Sequence, residues 1–77
     1  MSHTIHLAGV CDGVALDSAI REFQGGYVVA YQTTKRAGTK VPNLVNFEER
    51  GKIFPSQEAA FAASRKSLKS AIEANRI

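Results

Sequence analysis

The sequence predicts an α+β domain: an antiparallel β-meander of three or four strands with one C-terminal helix packed across one face, in the order ββββα. Three observations carry this. Glycines in turn-forming contexts stand at positions 13, 26, 38 and 51, and they divide the first two-thirds of the chain into segments of matched length at 14–23, 27–36 and 41–50, the rhythm that short hairpins require. The segment from Tyr27 to Thr34 is rich in aromatic and β-branched residues. One long stretch, from Phe54 to Glu73, carries helical periodicity behind a capping residue. At 77 residues the chain makes one domain, 1–77, that buries only ~60–65% of its unfolded surface, so self-association would help it.

Taken in order, an extended segment from Thr4 to Val10 comes first, followed by the turn signal Asp12-Gly13. Residues 14–23 read two ways. Leu16, Ala19, Ile20 and Phe23 fit a helical stripe, whereas the glycine rhythm and the placement of Ile20 opposite Tyr31 fit a strand. The strand reading gives the four-stranded sheet; the helical one gives αβββα, the element order of a double-stranded-RNA-binding domain. Gly25-Gly26 reads as the next turn, after which Tyr27, Val29, Tyr31 and Thr33 share one strand face. In the last strand segment Pro42 cannot donate to a ladder, so it belongs at the start or on an edge, and Val45 and Phe47 share the buried face.

The helix is the firmest element. Ser56 is a natural N-cap, Glu58 places negative charge near the positive end of the dipole, and Pro55 prevents an earlier start. Ala60, Phe61, Ser64, Leu68, Ala71 and Ile72 form an apolar stripe, which predicts docking of Phe61, Leu68 and Ile72 on Val29, Tyr31, Val45 and Phe47. The other sheet face is left uncovered.

Gly26-Tyr27-Val28-Val29-Ala30-Tyr31, Asn46-Phe47 and the run Gly51-Lys52-Ile53-Phe54-Pro55-Ser56-Gln57-Glu58-Ala59-Ala60 resemble small uncharacterised bacterial single-domain proteins, in which a β-meander leads through a Phe-Pro-Ser/Thr step into a Glu-Ala-Ala helix. The resemblance covers about the last fifty residues. It implies a βββα or ββββα domain and no assigned activity, and residues 8–24 are longer here than in that pattern.

Charge divides unevenly. Residues 1–34 hold one basic residue against three acidic ones, and residues 35–77 hold nine against four, for a net +3. An acidic partner, nucleic acid or protein, suits the second half, although solvated Lys and Arg explain so small an excess as well. Lys35, Arg36 and Lys40 flank the Gly38 turn, and Arg65, Lys66 and Lys69 lie along the helix; with Tyr27 and Tyr31 they would make a surface that contacts phosphates and stacks bases. The helix opens with Ser-Gln-Glu, without the lysine cluster that would grip a duplex.

Catalytic signals are poor. His3 and His6 fall on opposite strand faces with no third metal ligand nearby, Cys11 has no neighbouring cation, and the serines have no histidine at a catalytic spacing. Capping or helix-surface roles account for Ser56, Ser64, Ser67 and Ser70. No cofactor motif appears. A single cysteine forms no internal disulfide, and no leader or membrane-length apolar run is present, which favours the cytoplasm. The expectation is therefore a small non-catalytic regulatory or protein-interaction domain forming a weak homodimer, with nucleic-acid binding as the alternative and no membrane association.

Overall fold

The computed structural model describes residues 3–74. Two tight turns set the sheet. Asp12 and Gly13, with φ of 51° and 76°, join β1 (Thr4–Cys11) to β2 (Val14–Phe23); Gln24 and Gly25, with φ of 49° and 82°, join β2 to β3 (Gly26–Lys35). Positive φ at both central positions is the type I′ geometry, whose twist matches that of the flanking strands. The second turn falls one residue earlier than the expected Gly25-Gly26. Gly26 serves a different purpose: it opens β3 where a Cβ would strike the Ile53 side chain and come within 2.6 Å of the Phe54 carbonyl oxygen.

The sheet is four-stranded and antiparallel in the order β1-β2-β3-β4, with β4 reduced to Asn43–Leu44, and α1 (Gln57–Glu73) follows. Residues 14–23 are a strand throughout, which removes the αβββα alternative. The strand expected over 41–50 is mostly lost. The outer edge of β3 is shared between two short partners: Asn43 and Leu44 pair with Thr34 and Thr33, and Phe54 exchanges both backbone bonds with Tyr27. The Val45 N–H still donates to the Gln32 carbonyl at 2.9 Å; beyond it residues 46–53 arch away from the edge, through a turn closed by the Lys52 N–H donating to the Glu49 carbonyl. Phe47 is buried from this arch and not from a strand.

A β-bulge in β3 decides what lies inside. Ala19 pairs with Tyr31 and Ile20 with Val29, so Ala30 is the extra residue and the two-residue alternation changes phase there. Tyr27 and Val29 face the helix as expected. Beyond the bulge Gln32 and Thr34 take the inward positions, both fully buried, and Tyr31 and Thr33 turn to the opposite face. The expected docking of the helix on Tyr31 is therefore corrected, as is the pairing of Ile20 with Tyr31.

Ser56 caps α1 as its sequence implies, its Oγ accepting from the Ala59 N–H at 3.1 Å. The helix buries Ala60, Ser64, Ser67, Leu68 and Ala71 against the sheet, while Phe61 and Ile72 are only half-buried. The core has three layers along its length. Ile20, Val29, Phe47, Phe54 and Ala60 form one apolar end, and Val14, Leu16 and Leu68 the other. Between them lies a polar layer of Ser18, Gln32, Ser64 and Ser67; Ser64 is buried as its place on the stripe implies, and the surface role expected for Ser67 is corrected. Gln32 Nε2 donates to Ser67 Oγ at 3.0 Å and to the Asn46 carbonyl at 3.3 Å, and Ser64 Oγ lies 2.7 Å from Gln32 Oε1 and 2.8 Å from Ser18 Oγ. One hydroxyl carries one hydrogen: Ser64 must give its own to the amide oxygen and accept that of Ser18, while Ser67 gives its hydrogen to the Glu48 carboxylate at 3.1 Å. The hydroxyls of Ser18, Ser64 and Ser67 and the amide of Gln32 are thereby each assigned a direction.

Candidate functional site

The helix covers one face of the sheet. The far face and the outer edge of β1 are the surfaces left for function, and strand alternation fixes what each presents. Cys11 and Val14 flank a two-residue turn, so they form a hydrogen-bonded pair, and counting back in twos places the backbone N–H and C=O groups of Ile5, Leu7, Gly9 and Cys11 toward β2. Those of Thr4, His6, Ala8 and Val10 point outward, where no described segment meets them. Side chains alternate in the other sense. Ile5, Leu7 and Cys11 lean to the helix side, and Arg65 lies across β1 there, with its guanidinium where a Cβ on Gly9 would stand. No Lys, Arg, Asp, Glu or Pro occurs in β1, and Leu7 and Val10 are 44% and 72% exposed.

On the open face the bulge places Tyr31 level with Ala19 and His6 in one cross-strand row. Ala19 is small enough for the flanking rings to meet above it in an edge-to-face contact, with centroids 5.8 Å apart. His6 Nδ1 lies 3.1 Å from Asp17 Oδ2 and Nε2 lies 3.4 Å from the Tyr31 hydroxyl. These contacts are met together when Nδ1–H donates to the carboxylate and Nε2 accepts from the phenol. The trio is exposed and ties three side chains from β1, β2 and β3 into one ordered row.

Beside this row the arch over residues 46–53 leaves a groove against the unpaired part of β3's outer edge. Two adjoining cavities of about 220 and 240 Å³ occupy it, and Val29, Ala30 and Arg50 line both. Tyr31 and Leu44 border the first; Arg21, Phe23 and Val28 border the second. Arg21 and Arg50 have no carboxylate within ion-pair distance among the described residues.

The expected basic surface is divided by the fold. Lys35, Arg36 and Lys40 are exposed on and beyond the end of β3, where Lys35 lines a surface cavity with Val10 and Ala15 of the open face. Lys66 and Lys69 project from the solvent side of α1, in the other layer, and Arg65 is half-buried against β1. Tyr27 and Tyr31 are separated too: Tyr27 packs toward the core and accepts at 3.5 Å from Gln57 Nε2, and Tyr31 stands on the open face. Arg21, Phe23 and Arg50 escaped the sequence reading. Alternation within β2 puts Arg21 and Phe23 opposite Ile20, and that signal was readable once 14–23 was taken as a strand; the position of Arg50 depends on the arch and had no sequence signal.

Among the described residues no group of three or more His, Cys, Asp or Glu is placed to hold a metal ion, and no helix is long and apolar enough to cross a membrane. Comparison with known proteins finds no matching family, curated protein or solved structure.

Proposed function

We propose that the chain is a small non-catalytic interaction module whose working form is a pair of copies joined edge to edge through β1. The uncharged, unprotected edge of β1 is the observation that supports this. Monomeric proteins ordinarily guard such edges with lysine, proline, a bulge or a covering segment; β1 contains no lysine, proline or bulge, and no segment among the described residues pairs with its outer edge. A second copy suits the edge because an uncharged strand meets no like charge when it pairs with itself. Centred on Leu7, antiparallel self-pairing sets Thr4 opposite Val10 and His6 opposite Ala8 of the second copy, all with outward backbone groups, and it brings the two exposed Leu7 side chains together on the helix side. A specific stable interface buries at least ~1,000 Å² in total, about a tenth of each copy's 5086 Å². One strand edge falls near the lower limit, so the dimer is weak.

Sedimentation velocity across a concentration series tests this, with Ala8→Pro and Leu7→Lys as variants. Proline at position 8 removes an outward N–H and no bond to β2, while lysine at position 7 places like charges on the dyad. Both variants are expected to stay folded by circular dichroism and to remain monomeric at concentrations where the parent chain associates. A parent chain that stays monomeric at millimolar concentration, or association that ignores both variants, refutes the proposal.

A further inference from the structure

We infer that the groove beside the β3 bulge binds single-stranded nucleic acid, holding two consecutive nucleotides with their bases on Tyr31 and Phe23 and the phosphate between them at Arg50. The layout of the two cavities carries this. Each is bordered by one exposed aromatic side chain, Tyr31 at 41% and Phe23 at 44%, and the single residue common to both that bears a charge is Arg50. Two stacking platforms separated by a guanidinium repeat the base, phosphate, base order of a dinucleotide step. Arg21 borders the second cavity and supplies a contact for the next phosphate.

Two further features select the ligand. Neither guanidinium is neutralised by a carboxylate among the described residues, so an anion gains both charges without breaking an existing ion pair. Among the described residues, no segment pairs with the outer edge of β3 between Tyr27 and Gln32, so the groove wall there is unpaired strand edge on which base edges can hydrogen-bond. A duplex keeps its bases stacked on one another and cannot offer faces to Tyr31 and Phe23, which restricts the groove to single strands. The site differs from the lysines of the helix and of the Gly38 turn, and it lies on the face that edge pairing through β1 leaves open.

The test is fluorescence anisotropy of a labelled uridine or thymidine oligonucleotide of about six residues, near the lower end of single-strand site sizes, titrated with the full chain at two salt concentrations. Binding is expected to weaken with salt at a log–log slope of about −1.4, from ~0.7 for each of two phosphates. Arg50→Ala and Phe23→Leu are each expected to weaken binding roughly tenfold, Phe23→Leu because it keeps the apolar contact and removes the stacking ring. Lys66→Ala/Lys69→Ala is the comparison and should leave affinity unchanged; circular dichroism confirms that all variants fold. Absence of binding at low salt overturns the inference. So does equal binding of the corresponding duplex, complete displacement by inorganic phosphate at the nucleotide's own concentration, or a loss confined to the Lys66/Lys69 variant.

Discussion

Replacing Gln32 with methionine tests whether the polar layer holds helix and sheet in register. Methionine matches glutamine closely in volume, so the change removes hydrogen bonds without opening a large cavity. Two groups lose their partners: one hydroxyl hydrogen of the Ser18–Ser64 pair, which had the amide oxygen to receive it, and the Asn46 carbonyl, which had the amide N–H. Ser67 still donates to Glu48 and is not stranded. A buried polar group left without a partner costs about 1–3 kcal/mol, with the half-buried carbonyl at the low end, so Gln32→Met should cost about 2–4 kcal/mol. A domain of this length has about 4–12 kcal/mol in total. Urea unfolding followed by circular dichroism would show the midpoint falling at nearly constant slope. The decisive arm adds Ser18→Ala and Ser64→Ala to Gln32→Met. Removing the stranded hydroxyls with their partner should recover half or more of the loss, because an apolar layer of the same shape has no unmet donors. A loss below about 0.5 kcal/mol for Gln32→Met, or a triple variant as unstable as the three single losses added together, would refute the hydrogen-bond account.

Two further outcomes follow from the core. Thr34 is buried with an Oγ1 that has no hydrogen-bond partner among the described residues, so Thr34→Val should stabilise the chain by about 1 kcal/mol, and thermal unfolding should show a rise of several degrees. Leu68→Ala should cost about 2–5 kcal/mol because Leu68 is fully buried beside Val14 and Leu16, whereas half-buried Phe61→Ala should cost about half as much; equal losses in urea unfolding would mean that the helix docks with a different face.

What the sequence could and could not disclose divides at the bulge. The hairpin rhythm was legible because Asp12-Gly13 and Gly25-Gly26 mark turns that need positive φ, although the second turn sits one residue earlier, at Gln24-Gly25, and the helix was legible because Ser56, Glu58 and the apolar stripe act locally. Those signals sit in adjacent residues. The phase change at Ala30 does not, because the choice between Tyr31 inside and Gln32 inside is made by partners far along the chain, Ser64 and Ser67 on the helix and Ser18 on β2. Read with strict alternation, an aromatic ring belonged in the core and an amide outside. The short β4 was hidden for a related reason: Phe54, ten residues beyond Leu44, occupies the part of the edge that the expected strand would have filled.

The polar layer and the place of Tyr31 on the open face are therefore two consequences of one inserted residue. With regular alternation through Ala30, Tyr31 would point at the helix and Gln32 at solvent, the open face would lose the ring that meets His6, and the Ser18–Ser64 pair would lose the amide oxygen that accepts its hydrogen. A bulge alone does not favour one phase strongly, since a slip of one residue merely exchanges two sets of side chains. The buried network does, because its hydrogen bonds are satisfied in only one of the two phases and each unmet group costs about 1–3 kcal/mol in the other. Hydrogen bonds on the helix side of the sheet thus fix the position of Tyr31 on the far side, and the ring that the open face presents beside His6 is set by a core layer on the other side of the sheet.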